Sequence, residues 1–356
     1  MLDDALIRIK RLIPSRAFRA LQRPYHLALA ATAALWYRFP SRRIAVVAVT
    51  GTKGKSTTTE IVNAILEAAG KRTALSNTIR FKVADRSWRN LYKMSMPGRF
   101  AMQRLIRQAV DAGCEYFVCE MTSQGSLLHR HRFIAIDALI FTNLTPEHIE
   151  AHGSYEAYVQ AKLDIARALA HSGKRTAIVA NADDAEAPRF LACAADAKLT
   201  YSLKDGFPYA TKLRGDFNRY NILAAAAWAR HAGIPEETIA RAIASFEHVP
   251  GRVEKVSEGQ DFEVVVDYAH TPDSLEKLYR VFEGRDIVAV LGGTGGGRDA
   301  WKRAEMGRLA DRFARAVVLT DEDPYDEDPE KIVADVAAGI ASKRPEIVMD
   351  RRAAIR

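Results

Sequence analysis

Ile44-Ala-Val-Val-Ala-Val-Thr-Gly-Thr-Lys-Gly-Lys-Ser-Thr57 is the stretch whose reading decides the fold. Its first half, Ile44–Val49, is a continuous, largely β-branched run of the kind that a strand buried on both faces of a parallel sheet requires. The residues that follow carry Ile61, Ala64, Ile65 and Ala68 at helical spacing, which predicts a helix over 58–70. Strand, glycine turn and helix in succession make such a turn a nucleotide triphosphate site. Gly51 and Gly54 let backbone N–H groups close around phosphate oxygens, and the helix amino-terminus adds its dipole. Lys55 supplies a point charge and Ser56 a hydroxyl for Mg²⁺. The candidate ATP-binding residues are therefore Gly51, Thr52, Lys53, Gly54, Lys55, Ser56 and Thr57; Val49 stands where the longer GxxxxGK[ST] form has its first glycine.

Working outward, Tyr116–Cys119 reads as a second strand with Glu120 at its carboxyl end, where open α/β sheets place ligands. Ala138–Phe141 reads as a third, followed by Thr142-Asn-Leu-Thr-Pro-Glu-His148-Ile-Glu150-Ala-His152-Gly153. Lys162 lies beyond it on a segment of helical pattern. Alone, His148 reads as a satisfied polar residue and Lys162 as a solvated one. Together with Glu120 they would bracket a triphosphate whose oxygen charge phosphoryl transfer must neutralise. Further on, Asp216 or Asn218 can cap a long Ala-rich helix running towards Ala232, and Val249-Pro-Gly-Arg252 marks a turn with a cation at a domain junction. Val264–Asp267 reads as a buried strand leading to His270, with Pro272 opening a helix. Ile287–Leu291 is another strand, running into the glycine turn Gly292–Arg298–Asp299.

These segments in this order resemble the Mur ligases, ATP-dependent amide-forming enzymes of peptidoglycan precursor synthesis, and within them the tripeptide synthetases. TGTKGKST at 50–57, EMTSQG at 120–125, Arg130, FTNLTPEHIEAHG at 141–153, YVQAK at 158–162, GDFNRYNILAA at 215–225, VPGRVE at 249–254 and DYAHTPDSL at 267–275 carry the likeness, which extends from residue 44 to 356. The resemblance implies that Ser56, Glu120, His148 and a carbamylated Lys162, formed with CO₂, organise two Mg²⁺ ions. It implies catalytic roles for Lys55, Glu120, His148 and Lys162. Asn218 and Asn221 would lie on the adenine side of the ATP, with Arg252 and Asp267 also contacting the nucleotide. Substrate contacts would come from Ser95, Ser123, Arg130, His270, Arg298, Asp323 and Tyr325. The family's TTP segment is Ser95-Met96-Pro97 here, its serine-histidine pair is Ser123-Gln124, and its DHLD is Glu147-His148-Ile149-Glu150, so Met96 and Gln124 depart in polarity. Members that add meso-diaminopimelate carry Asp-Asn-Pro-Arg, where this chain has Glu322-Asp323-Pro324-Tyr325 among Asp321, Asp326, Glu327 and Asp328. Tyr325 cannot pair with a distal carboxylate, and an acidic surrounding suits a lysine-like diamine, or an unusual amino acid, rather than meso-diaminopimelate.

The fold expected is α/β: a P-loop ATPase domain with a mostly parallel sheet at 44–249, a Rossmann-like domain at 250–356, and a short basic helical arm at 1–43. The net charge of the 356 residues is +8, which on its own would suggest nucleic acid. It is concentrated in the arm, where nine Lys/Arg face only Asp3 and Asp4, and the body is nearly neutral. Nucleic acid is therefore no expected partner. Leu2, Leu6, Ile9 and Ile13 before Pro14, and the uncharged Pro24–Tyr37, read as two short helices. These either dock on the protein's own body or dip Leu27, Leu29, Leu35, Trp36, Tyr37 and Phe39 into an anionic membrane surface. Three cysteines without zinc spacing read as free thiols in a reducing cytosol. The expected setting is cytoplasmic, at the inner face of the membrane if the arm binds lipid, with a monomer acting on a muramyl peptide and an amino acid. The sequence holds no counterpart of the family's uridine-gripping domain or its GKGHE segment, so a cut-down or truncated ligase is expected. Two other readings are a ligase of the folylpolyglutamate or cyanophycin synthetase type, and a partner-dependent nucleotide-binding subunit acting on lipid-linked precursors.

Overall fold

The computed structural model describes residues 15–92, 94–147, 149–296 and 300–356, with side chains from residue 22 onward. The apolar run Leu2–Ile13 and the candidates His148 and Arg298 lie outside the described residues. The chain divides into two compact units. The first takes in the described residues up to Thr145, Glu156–Lys212 and Asn218–Glu247; the second comprises Pro146–Tyr155, Leu213–Phe217 and His248–Arg356.

The first unit is built on eight strands: β1 (Ala45–Thr50), β2 (Thr73–Ser76), β3 (Arg80–Val83), β4 (Arg86–Arg89), β5 (Tyr116–Glu120), β6 (Ala138–Phe141), β7 (Ala177–Asn181) and β8 (Ala197–Tyr201). Their order is β4-β3-β2-β5-β1-β6-β7-β8, parallel from β2 through β8, with β3 and β4 added antiparallel at one edge. Val46–Val49, Phe117–Cys119 and Leu139–Phe141 are all but sealed from solvent, which is why these strands read as unbroken apolar runs rather than alternating ones. The chain leaves β1 for β2 on one side and returns from β5 to β6 on the other. The carboxyl ends of β1, β5 and β6 therefore open on a topological switch point, where doubly wound sheets bind ligands. All four residues of β4 are exposed.

Before the sheet comes helix α1 (Ser15–Trp36), which continues through Pro24. Of the two helices expected in the arm, the first falls on Leu2–Ile13, outside the described residues; the second, expected over Pro24–Tyr37, is the latter part of this 22-residue helix, which begins nine residues earlier and has its carboxyl half packed against helix α3 (Arg99–Asp111), with Ala30, Ala33 and Ala34 buried. The phosphate-loop helix α2 spans Lys55–Ala68, three residues earlier than its apolar spacing predicts, because Lys55 and Ser56 already lie in its first turn. No helix among the described residues is long and apolar enough to cross a membrane.

The second unit holds a parallel sheet of β11 (Val288–Leu291), β12 (Ala316–Leu319) and β13 (Glu346–Ile347), and an antiparallel pair of β9 (Glu254–Val256) and β10 (Val264–Val266). Leu275, Tyr279, Leu291, Met306, Leu309, Leu319, Val333 and Val336 form its core. The buried strand expected over Val264–Asp267 is corrected here: among the described residues β10 pairs only with β9, and Val266 is 47% exposed. Valine repetition reports β-propensity, and burial needs a second layer that this two-stranded ribbon lacks on that face.

Candidate functional site

The loop after β1 has left-handed or extended-positive backbone at both glycines, with φ 147° at Gly51 and 85° at Gly54. Neither position has room for a Cβ: at Gly51 it would overlap the Thr142 hydroxyl, and at Gly54 the Asn221 side-chain oxygen. The loop is clamped from the β6 side. Thr52 N donates to the Asn143 carbonyl at 2.7 Å, Lys53 N to Asn143 Oδ1 at 3.0 Å, and Thr142 Oγ1 to the Lys53 carbonyl at 2.7 Å. Thr52 Oγ1 lies 2.8 Å from Tyr158 OH and accepts from Thr145 N at 3.0 Å. Ser56 and Thr57 are buried in the first turn of α2.

The Gly51 carbonyl gathers both candidate lysines. Lys55 Nζ donates to it at 2.9 Å and Lys162 Nζ at 2.7 Å. Lys162, on the helix Tyr155–Arg167, is only 2% exposed and stands 5.0 Å over the Tyr158 ring. A helix lysine that deep is far from the solvated residue its local sequence suggests. It places a second ammonium beside the phosphate loop.

Glu120 ends β5 in register with Val49 of β1, one residue before the loop strand finishes. Its buried carboxylate accepts from Thr78 N at 2.9 Å and Thr78 Oγ1 at 3.0 Å. Thr78 Oγ1 in turn lies 2.6 Å from Ser95 Oγ, so the candidate substrate residue Ser95 is tied to the candidate metal ligand through one hydroxyl. Glu120 and Ser56 are hard oxygen donors, which suits Mg²⁺. No cluster of three or more acidic, imidazole or thiol groups converges among the described residues. Ser123 is buried in the short helix Ser123–Leu127. Met96, out of character for a substrate segment, is a core residue: its sulfur accepts from Thr122 N at 3.3 Å and fills the space a side chain at Gly125 would need. Arg130 Nη1 donates to the Met96 carbonyl.

Asn218 and Asn221 are buried on the helix Asp216–His231 and bonded to each other at 3.3 Å. Asn221 Oδ1 also accepts from Thr58 Oγ1 at 3.3 Å, which puts it against the phosphate loop.

Within the second unit, Asp267 accepts from Val253 N and Ala269 N, each at 2.7 Å, and burial raises its carboxyl above the ordinary range. The Arg252 guanidinium stacks 4.7 Å over Tyr268. His270 Nδ1 lies 2.8 Å from the Tyr268 carbonyl and Nε2 3.3 Å from Glu147 Oε1. Asp323 bridges to Thr294, its carbonyl accepting from Gly295 N at 2.9 Å. Tyr325 is exposed, with φ 54°, and its ring leaves Gly296 no room for a side chain. Arg303, which sequence reasoning passed over, is buried and holds Glu327 at 2.6 Å, Asp335 at 2.9 Å and the Thr294 carbonyl at 3.2 Å. It thus fastens the glycine turn to the acidic segment.

Sequence reasoning also gave no role to Thr78, Thr142, Asn143 and Tyr158. Thr142 and Asn143 had a signal, a polar pair at a strand's carboxyl end. Thr78 had none, since its importance comes from β2 lying beside β5.

Two family models match: the Mur ligase middle domain over residues 49–207 and the "Mur ligase, glutamate ligase domain" over 251–356. The UDP-N-acetylmuramyl-tripeptide synthetase of Roseiflexus sp. (strain RS-1) is 39% identical over 356 residues, covering 88% of this chain and 69% of that protein. The UDP-N-acetylmuramoyl-L-alanyl-D-glutamate–2,6-diaminopimelate ligase of Geobacillus kaustophilus (strain HTA426) is 37% identical over 365 residues, covering 92% and 73%. A solved structure of a ligase with that same name superposes with a TM-score of 0.59 at 28% identity, covering 88% of this chain and 69% of that one. A clamped phosphate loop, a buried acid in register beside it and both domain signatures in order lead to one conclusion: the chain belongs to the Mur ligase family of ATP- and magnesium-dependent amide ligases.

Proposed function

We propose that the chain joins an amino acid to the free carboxylate of a muramyl peptide, with residues 44–249 working on ATP and residues 250–356 carrying the incoming amino acid. The observation that supports this most is the Gly51 carbonyl shared by Lys55 and Lys162, one strand away from Glu120. A carboxylate oxygen of the peptide attacks the γ-phosphorus and ADP leaves. The amine nitrogen of the amino acid then attacks the acyl carbon, phosphate leaves and the amine gives up a proton. Lys55 and the loop N–H groups hold the phosphates. Ser56, Glu120, His148 and a carbamylated Lys162 would hold two magnesium ions, which supply neutralisation of the triphosphate charge when bound.

Two ammonium groups on one carbonyl repel each other. Carbamylation relieves this: the Lys162 ammonium gives up one proton, the freed nitrogen adds to the carbon of CO₂ and gives up a second, turning one of the two cations into an anionic oxygen donor. Arg252, Asp267 and His270 contribute to the nucleotide and amino-acid side, and Ser95, Ser123 and Arg130 to the peptide side. The acidic segment around Asp323, with Tyr325 exposed on it, favours an amino acid with a free distal ammonium.

The test is phosphate release dependent on both a muramyl dipeptide and an amino acid, with L-lysine giving higher kcat/KM than meso-diaminopimelate. Lys162→Ala is expected to lower kcat at least 10³-fold, with partial recovery on adding a short carboxylic acid. Phosphate release indifferent to the peptide would overturn the reading, and equal turnover of both amino acids would overturn the acceptor assignment.

A further inference from the structure

Thr78, just past the end of β2, meets two functional parts of the first unit at once. Because β2 lies beside β5 with Ser76 level with Cys119, the chain leaving β2 passes the buried carboxylate of Glu120. Thr78 N donates to Glu120 Oε1 at 2.9 Å and Thr78 Oγ1 to Glu120 Oε2 at 3.0 Å. A single residue thus engages both oxygens and fixes the plane of the carboxylate. The same hydroxyl lies 2.6 Å from Ser95 Oγ. A threonine hydroxyl has one hydrogen, which here is spent on Glu120, so the hydrogen in the second contact belongs to Ser95. Ser95 donates to Thr78 and Thr78 to Glu120, and bonds chained in this way polarise one another.

The backbone at Thr78 is held by its neighbour Asn77, whose polar groups are all bonded. Asn77 N donates to the Arg80 carbonyl at 3.1 Å, and Oδ1 accepts from Ile79 N at 2.9 Å and Arg80 N at 2.8 Å. Its Nδ2 donates to Glu60 Oε1 at 2.8 Å and Thr59 Oγ1 at 3.2 Å, both on α2, the helix that opens at the phosphate loop. Its carbonyl accepts from Asn90 Nδ2 at 2.7 Å, and Asn90 Nδ2 also reaches the Met94 carbonyl at 2.9 Å, one residue before Ser95. Asn77 is buried, whereas Thr78 and Ser95 are half-buried. Any buried carboxylate needs donors. This one takes them from a residue anchored to the phosphate-loop helix and shared with a partly exposed serine, which is how side chains behind a metal ligand hold its orientation.

We infer that Thr78 is a positioning residue: it orients Glu120 for the metal and makes that orientation depend on Ser95. The inference rests on the reading of Glu120 as a magnesium ligand given above, and adds to it the residue that aims the carboxylate and a link to the peptide side. A contact made at Ser95 reaches Glu120 through two hydroxyl groups, without movement of the backbone that Asn77 pins.

The probe is Mn²⁺ alone, titrated into the full chain and followed by loss of the free ion's paramagnetic resonance signal, so that no substrate is needed. Thr78→Val, which matches threonine in volume and keeps the N–H bond, is expected to weaken Mn²⁺ about tenfold, and Glu120→Gln at least as much. Thr78→Ser keeps both bonds and is expected to bind within about twofold of the parent. A role confined to packing reverses that order, because valine retains the methyl group that serine lacks. Ser95→Ala is expected to weaken Mn²⁺ about two- to threefold in the parent and not at all in Thr78→Val, since its effect runs through the missing hydroxyl. Full Mn²⁺ affinity in Thr78→Val beside weakened affinity in Glu120→Gln would overturn the positioning role and leave the metal reading standing. Equal effects of Ser95→Ala in both backgrounds would overturn the link to Ser95. Full affinity in Glu120→Gln would overturn the metal reading and this inference together.

Discussion

His131 is the buried residue with the plainest cost. It is 1% exposed, neither ring nitrogen has a hydrogen-bond partner among the described residues, and burial pushes its pKa down to about 3. The unfolded chain therefore takes up a proton near pH 6.5 that the folded chain refuses. Stability is full above that value and falls as pH drops towards 3, by up to about 1.4 kcal/mol per pH unit. His131→Leu removes two unsatisfied nitrogens at similar volume. It is expected to stabilise by about 1–2 kcal/mol at pH 7, and urea denaturation at pH 7 and pH 5 should show a smaller acid loss than in the parent. An unchanged slope would mean the proton is taken up elsewhere. At this scale the sequence singled out Lys55, Glu120 and Lys162, each within a contiguous motif, and the structure sets both lysines on the Gly51 carbonyl. It was silent on Thr78 and Arg303, whose partners lie far away in the chain.

Among the elements, the helices Lys302–Phe313 and Pro329–Ala337 show how backbone spacing decides a residue. A Cβ at Gly307 would overlap the Val336 carbonyl, and one at Gly339 the Ala304 carbonyl. An exposed helical glycine changed to alanine gains about 1 kcal/mol in helix propensity. Here the steric overlap reverses the sign, and Gly307→Ala is expected to destabilise the second unit by about 2–3 kcal/mol. Limited proteolysis should detect this as faster cleavage within residues 248–356, with the first unit unaffected. The parallel strands β1, β5 and β6 were legible because burial on both faces demands unbroken apolar runs. The β9–β10 ribbon and the length of α1 were not, since neither valine content nor a lone proline reveals what an element packs against.

For the whole molecule, α1 answers only half of the question that the basic arm poses. Its alanine face docks on α3, yet Tyr25, Leu27, Leu35 and Trp36 remain exposed beside the exposed Arg38, Arg42 and Arg43. The proposal that this face touches an anionic membrane surface predicts that Leu35→Ser/Trp36→Ser, which spares the docked alanines, partitions at least fivefold less onto phosphatidylglycerol vesicles at low salt. Equal partitioning would refute it. The eight-stranded sheet has a consequence of another kind. Its outermost strand, β4, bears Arg86 and Arg89, and β8 at the opposite rim bears the exposed Lys198. A strand from a second copy could add to either rim only by bringing like charges together and stripping their water. The sheet ends where it does because its borders repel their own kind, which lets an aggregation-prone parallel core exist at high concentration without seeding its own growth.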